Sequence, residues 1–210
     1  RPPGEAGTPE GSGVVNEPVR ADARLHYAWI VAGVTFTVLL ITAGVRATPS
    51  LFMVPLESEF GWSRAVISGA VAVNIALFGL IGPFAASLME RIGVRRAVMG
   101  ALTLLALSVA ASTQMTSAWH LVLLWGVLVG SGTGVTAMVL AAVVATRWFD
   151  QRRGVVLGAL SAANATGQLI FLPSLARLVE DRGWRLAALV VAGAALVFVK
   201  VFDDLGTPLV

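Results

Sequence analysis

Apolar residues fill long uninterrupted stretches of this chain, and charged residues fall in short clusters between them. Residues 97–146 form a run of fifty without a single Asp, Glu, Lys or Arg. Since one helical crossing of a bilayer takes about 20 apolar residues, this run predicts two crossings joined by the polar turn 114–120. The same pattern along the whole chain predicts helices over residues 27–53, 65–89, 97–114, 118–146, 154–176 and 184–202. The predicted fold class is therefore all-α, a polytopic membrane protein with six transmembrane helices.

Composition supports a membrane protein and argues against several other classes. Hydrophobic residues make up 57% of the 210 residues and charged residues only 13%, which leaves too little polar surface for a soluble domain of this size. The excess of Arg and Lys is small and is divided among short clusters, so we expect no nucleic-acid partner. The chain has no cysteine, and the sequence predicts neither a metal site nor a cofactor.

The distribution of polar residues divides the chain into three parts. Residues 1–24 are rich in Pro, Gly and Glu and are expected to form a disordered cytoplasmic tail. Residues 25–202 contain the six-helix bundle, and residues 203–210 form a cytoplasmic C-terminal end that we interpret as truncated.

Basic residues between the predicted helices and near their ends indicate how the bundle is oriented. The side that carries both termini has ten Arg and Lys residues, whereas the opposite side has four. Positive residues concentrate in cytoplasmic loops, so both termini are predicted to be cytoplasmic in a cell (inner) membrane. Only Arg46 belongs to neither group.

Arg46 is the main candidate for chemistry. If the first helix continues past Leu51, the guanidinium lies inside the membrane, where ionisable side chains are costly and usually face a cavity or a ligand. The six predicted helices contain no deep acidic residue to pair with it, which favours an anionic ligand such as a carboxylate. The alternative is that the helix ends near Val45, that residues 47–56 form an external loop, and that Arg46 reaches the interface.

Three amides are the other polar candidates for substrate binding within the predicted helices. Asn74 lies on the second helix, while Asn164 and Gln168 lie on the fifth, four residues apart and therefore on one face. The alternative for each of them is an interhelical hydrogen bond that serves only the bundle.

Glycines recur on the fourth and fifth predicted helices. Gly126, Gly130 and Gly134 lie at four-residue spacing, and Gly154 and Gly158 open the fifth helix. Small residues at this spacing allow helix backbones to approach closely, so we predict a tightly packed pair formed by these two helices.

The segment after the second helix carries a family resemblance. Residues 90–96, Glu-Arg-Ile-Gly-Val-Arg-Arg, resemble the signature loop of the major facilitator superfamily, with Glu90 in place of the usual Asp. Residues 44–65, 147–154 and 183–185 are similar to segments of its monocarboxylate and oxalate:formate transporter branch. The resemblance implies twelve helices in two halves with substrate between them, of which this chain supplies the N-terminal six.

The resemblance also implies roles for individual residues. Arg46 stands where the family places a first-helix cation implicated in substrate binding. Two basic loops would act as a conformational latch that holds the cytoplasmic face closed. Their residues are Glu90, Arg91, Gly93, Arg95, Arg96, Arg147, Asp150, Arg152 and Arg153.

The sequence thus predicts secondary active transport of a small monocarboxylate or dicarboxylate by alternating access. The expected partners are the carboxylate, a proton or counter-anion, the lipid bilayer and a missing second six-helix half. Alternatives are a non-transporting membrane scaffold and a half-transporter partner subunit. An intramembrane serine protease is suggested by Ser131 between two glycines, but His26 and His120 both lie outside the later helices.

Overall fold

The computed structural model describes residues 17–136, 138–149 and 153–204, and these residues are helical apart from short turns. Along the chain they form α1 (Glu17–Phe60), α2 (Arg64–Ile92), α3 (Val94–Ser112), α4 (Ala118–Leu121), a π-helix (Val122–Val129), α5 (Gly130–Thr136), α6 (Met138–Trp148), α7 (Arg153–Arg182) and α8 (Trp184–Asp204). The expected tail residues 1–16 and the final residues 205–210 lie outside the described part of the chain.

Five stretches are long and apolar enough to cross a bilayer. They are Trp29–Phe60, Arg64–Ile92, Val94–Ser112, Ala118–Thr146, hereafter the fourth span, and Arg153–Arg182. The sixth predicted helix is present as α8, which has 21 residues but is not among these five. The prediction of an all-α polytopic membrane protein is confirmed.

The first helix is longer than the sequence pattern indicates at both ends. It begins at Glu17, with Pro18 in its first turn, where proline is tolerated because the N–H would have no helical partner. It then continues to Phe60 through Pro49 and Pro55. Around Pro49, the Thr48 hydroxyl donates to the Gly44 carbonyl at 3.0 Å and the Ser50 hydroxyl to the Ala47 carbonyl at 2.7 Å. Arg46 therefore lies within a continuous helix, and the alternative of an external loop over residues 47–56 is not what the structure shows.

Two helix junctions are turns centred on a single residue. Gly93 separates α2 from α3 with a φ of 86°, and Gly183 separates α7 from α8 with the same value. Positive φ is readily adopted only by glycine, so these residues fix sharp reversals between long helices. The basic segment predicted as a loop therefore consists mostly of the last turn of α2 and the first turn of α3.

The helices pack in pairs around one main apolar core. α1 packs chiefly against α7 and α2 against the fourth span, while α3 packs against both α8 and the fourth span. The largest fully buried side chains of this core are Phe52, Met89, Leu102, Leu105 and Leu140.

The glycines of the fourth span make close contacts, although not with α7 as predicted. A Cβ added at Gly130 would lie 2.9 Å from the Asn74 carbonyl oxygen on α2, and one at Gly126 would lie 3.2 Å from the Ala70 carbonyl oxygen. Gly134 packs against Phe78 and Ile81 of α2 in the same way. Gly154 and Gly158 face open space, because no atom lies within 4 Å of an added Cβ.

The glycine that brings α7 against a neighbour is Gly167. An added Cβ there would lie 2.7 Å from the Ala43 Cβ and 2.8 Å from the Leu40 carbonyl oxygen, both on α1. The predicted pair of the fourth and fifth helices is thus replaced by two close pairs, α2 with the fourth span and α1 with α7. Sequence spacing identifies small residues but does not specify which neighbour they contact.

A polar cluster joins α1, α3 and α8 near the turns that follow α1 and precede α8. One Glu59 carboxylate oxygen accepts a hydrogen bond from the Trp184 indole N–H at 2.6 Å, and the other lies 2.5 Å from the Arg185 guanidinium. Arg185 also donates to the carbonyl oxygen of Thr113, which follows α3. The Trp184 ring is buried and packs edge-on against Phe52.

Substituting Glu59 by alanine is expected to destabilise the bundle by about 1–3 kcal/mol, because the buried Trp184 N–H loses its acceptor. Glu57→Ala is the matched control, since its partner Arg64 is largely exposed and such pairs contribute about 0–1 kcal/mol. The measurement is the free energy of unfolding in mixed micelles. Equal effects of the two substitutions would contradict a structural role for Glu59.

A second polar contact joins α3 to α8 at their other ends. The Arg95 guanidinium donates to the Asp203 carboxylate at 2.7 Å and to the Asp203 carbonyl oxygen at 2.9 Å. The two side chains are 35% and 59% exposed, so we expect the contact to orient the helix ends more than to stabilise them.

Candidate functional site

Arg46 occupies the middle of the first membrane span, Trp29–Phe60. Its side chain is partly buried, and its guanidinium carbon lies 4.3 Å from the centroid of the Phe78 ring on α2. A guanidinium stacked on an aromatic face is attracted by the negative face of the ring, which holds the side chain between α1 and α2. In the described part of the chain, Arg46 forms no ion pair and no hydrogen bond.

Arg46 lines two cavities. The first, of about 270 Å³, is lined by Leu39, Thr42, Arg46, Phe78, Ala141, Leu160, Ser161 and Asn164. The second, of about 250 Å³, is lined by Val45, Arg46, Pro49, Ser50, Met53, Val71, Asn74, Ile75 and Val129. Each has room for a small molecule of a few non-hydrogen atoms. Among the described residues that line the two cavities, Arg46 is the only charged one.

The first cavity is lined by the polar groups that are best able to bind an anion. Asn164 is partly buried and has no hydrogen-bond partner among the described residues, so its amide is available to a ligand. The Thr42 hydroxyl donates to the Val38 carbonyl at 2.9 Å. Because a guanidinium offers two parallel N–H donors, Arg46 and Asn164 together can donate hydrogen bonds to the oxygens of one carboxylate.

Asn74 both lines the second cavity and serves the packing of the bundle. Its amide nitrogen donates to the Trp125 carbonyl oxygen at 2.6 Å, which joins α2 to the π-helix. Wide π-turns leave backbone groups unpaired by regular helical bonds and occur often at functional sites. The amide nitrogen of Asn74 therefore makes the interhelical hydrogen bond that was the alternative to substrate binding. The side chain nevertheless lines the second cavity.

Gln168 is not brought to either cavity. It lies on α7 one turn beyond Asn164, with an exposed side chain. The four-residue spacing places the two amides on one face, but only Asn164 lines the first cavity.

The residues proposed as a latch are placed in different surroundings. Glu90 and Arg91 are exposed at the end of α2, Gly93 forms the turn, and Arg95 binds Asp203. Arg96 lines a separate groove. Arg153 donates to the Phe149 carbonyl at 2.9 Å. The side chains of Arg147, Asp150 and Arg152 lie outside the described part of the chain.

Three polar or aromatic residues that line the first cavity were not predicted from the sequence. They are Thr42, Phe78 and Ser161. Helical spacing could have identified all three, because Thr42 lies four residues before Arg46 and Phe78 four residues after Asn74. Ser161 precedes Asn164 by three residues on α7 and shares its face in the same way.

These observations define the chain as a multi-pass helical membrane protein with a central cation that faces internal cavities. Comparison with known proteins agrees, since residues 34–205 match the family model of the Major Facilitator Superfamily. The chain belongs to this superfamily, whose members are membrane transporters and not enzymes.

Curated relatives narrow the resemblance to one branch. The chain is 30% identical over 172 residues to monocarboxylate transporter 11 of Mus musculus, covering 81% of this chain and 38% of the relative. It is 28% identical over 170 residues to monocarboxylate transporter 13 of Rattus norvegicus, covering 81% and 40%. It is also 27% identical over 162 residues to an uncharacterized MFS-type transporter, YcxA, of Bacillus subtilis, covering 75% and 38%. The predicted likeness to a monocarboxylate transporter-like branch is confirmed.

The chain spans about two-fifths of the length of these relatives. This length is consistent with the N-terminal half that the sequence resemblance implies.

Proposed function

We propose that the chain forms the substrate-binding N-terminal half of a secondary transporter for small carboxylates. The observation that carries this proposal is Arg46, a guanidinium in mid-span that faces two cavities and has no acidic partner in the described residues. An unpaired cation in a low-dielectric setting favours an anionic ligand, and the planar guanidinium matches the two oxygens of a carboxylate.

Asn164 and Asn74 would define the position of the substrate around Arg46. Asn164 offers an uncommitted amide in the first cavity, and Asn74 borders the second. The apolar residues Leu39, Ala141 and Leu160 line the first cavity and would accommodate a short hydrocarbon group. This combination fits a monocarboxylate or a small dicarboxylate with an apolar portion.

Alternating access requires a second six-helix half against which this half rocks. Two helices have the exposed faces that such a partner would cover. In the most apolar 18-residue stretch of each span, the buried share of residues is 11% for α2 and 22% for α7. The corresponding share is 50–67% in the other three spans. The second half would contribute further polar groups to the site, and the coupling ion would be a proton or a counter-anion.

The basic segment between α2 and α3 and the segment before α7 would latch the cytoplasmic face. This assignment follows the ten-to-four distribution of Arg and Lys, which favours cytoplasmic termini in the cell membrane. The ion pair between Arg95, in the first turn of α3, and Asp203, at the end of α8, supports this role.

An uptake assay in liposomes tests the proposal. We expect the chain reconstituted with a second six-helix half from a relative to accumulate radiolabelled lactate or pyruvate, and the chain alone to bind the substrate without net uptake. A binding signal equal for lactate and its neutral amide would contradict a carboxylate site. Absence of both binding and uptake with any second half would favour a membrane scaffold.

A further inference from the structure

A third cavity lies away from the Arg46 site, in a groove between α2, α3 and α5. It has a volume of about 360 Å³. The residues that line it are Ile81, Phe84, Ala85, Leu88, Ile92, Arg96, Ala97, Gly100, Ala101, Leu104, Ser131, Gly132 and Val135. Neither Arg46 nor any of the three amide candidates contributes to it, so it is a separate feature of the bundle.

The groove is apolar along its length and cationic at one end. On α3, Arg96 is followed by Gly100 and Leu104 at four-residue spacing, so one face of the helix runs about 12 Å from the cation into the membrane. On α2, Phe84 and Leu88 are 66% and 42% exposed, which leaves the groove open at its side. Its shape therefore fits an extended hydrocarbon chain.

Arg96 is available to a ligand at the end of this groove. The neighbouring Arg95 is committed to Asp203, whereas Arg96 has no ion pair or hydrogen bond with the residues that the structure describes. It lies in the first turn of α3, directly after the junction at Gly93, where a membrane helix meets the headgroup region. A guanidinium at this depth can bind a phosphate by paired charge-assisted hydrogen bonds.

We propose that this groove binds one anionic phospholipid, with an acyl chain along α2 and α3 and the phosphate on Arg96. The positive charge of Arg96 favours an anionic headgroup. The apolar lining of the groove favours a lipid over a free phosphate. Bound in this way, the lipid fills the space beside Ser131 and Gly132 and supports the contact of α5 with α2 and α3.

Gly100 provides a way to block the groove without disturbing the core. A Cβ at this position would have no atom within 4 Å, so a larger side chain can project into the groove. Gly69 on α2 is equally open but does not line the groove, and therefore serves as its matched control. Arg91 is an exposed arginine near the same junction that does not line the groove, and serves as the control for Arg96.

The test is native mass spectrometry of the full chain released from detergent after incubation with phosphatidylglycerol or phosphatidylcholine. We expect one phosphatidylglycerol to be retained, with a preference of about fivefold over phosphatidylcholine that is lost in Arg96→Gln and kept in Arg91→Gln. Gly100→Phe should remove retention of both lipids, while Gly69→Phe should not. Excess glycerol 3-phosphate should fail to displace the lipid.

Several outcomes would overturn the proposal. They are equal retention of the two lipids by the unmodified chain, an Arg96→Gln variant with the original preference, and displacement by glycerol 3-phosphate alone. Circular dichroism on each variant checks that it folds. If Gly100→Phe does not fold, the result for Arg96→Gln still decides the test. Retention of no lipid would indicate that another protein segment covers the groove, which also excludes the lipid site.

Discussion

Replacing Arg46 with glutamine is expected to abolish measurable binding of small carboxylates to the reconstituted chain. Glutamine is close to arginine in reach but lacks the charge and the paired N–H donors, and it cannot stack as a cation on Phe78. Removing one partner of a buried charge pair costs about 2–5 kcal/mol, so affinity should fall about 30-fold or more. Titration calorimetry with lactate, pyruvate and a small dicarboxylate measures the loss.

Two further variants make the Arg46 experiment specific. Arg46→Lys keeps the charge without the planar geometry and should retain weakened binding. Arg64→Gln removes an arginine whose side chain is 72% exposed at the end of the bundle, and should leave affinity unchanged. If Arg46→Gln bound carboxylates as tightly as the unmodified chain, the anion site would have to be sought elsewhere.

Substituting Gly167 by alanine is expected to separate α7 from α1 and to impair the same site. The added Cβ would approach the Leu40 carbonyl oxygen, which is backbone and cannot move without moving α1. Overpacking of this kind costs about 1–3 kcal/mol, which exceeds the helix-propensity gain of up to about 1 kcal/mol. Because Asn164 lies one turn before Gly167, carboxylate affinity should fall together with stability.

Gly158→Ala is the matched control for Gly167→Ala. It lies on the same helix with no atom near an added Cβ, so its unfolding free energy should stay within about 1 kcal/mol of the original. Both variants can be compared by denaturant titration in mixed micelles, with binding measured on the folded protein. Equal stability of the two variants would mean that α1 and α7 adjust more readily than their backbone contact suggests.

The helical bundle could be predicted from sequence because lipid imposes a simple rule on the chain. Charges are excluded from the hydrocarbon, so the fifty-residue run 97–146 and the arginine clusters around it locate all the helices, although the first helix extends well beyond its predicted bounds at both ends. Arg46 was identified for the same reason, as the one basic residue outside the clusters.

The same rule could not predict which helices pack against each other. Gly126 and Gly154 look equivalent in sequence, yet one contacts α2 and the other faces open space. The course of the first helix was also undecided, because two prolines break most helices and only local hydroxyl bonds in the structure show how this one continues. Likewise, spacing placed Gln168 beside Asn164 but could not show where the cavity ends.

The contacts of α3 with α8 at both of their ends bear on which parts of the bundle can move. Arg185 of α8 donates to the Thr113 carbonyl oxygen, which follows α3, at one end of the pair. Arg95 of α3 binds Asp203 of α8 at the other end. Two helices that are joined at both ends are expected to move together as one rigid body. Spin labels on α3 and α8 should therefore keep a constant separation through the proposed transport cycle.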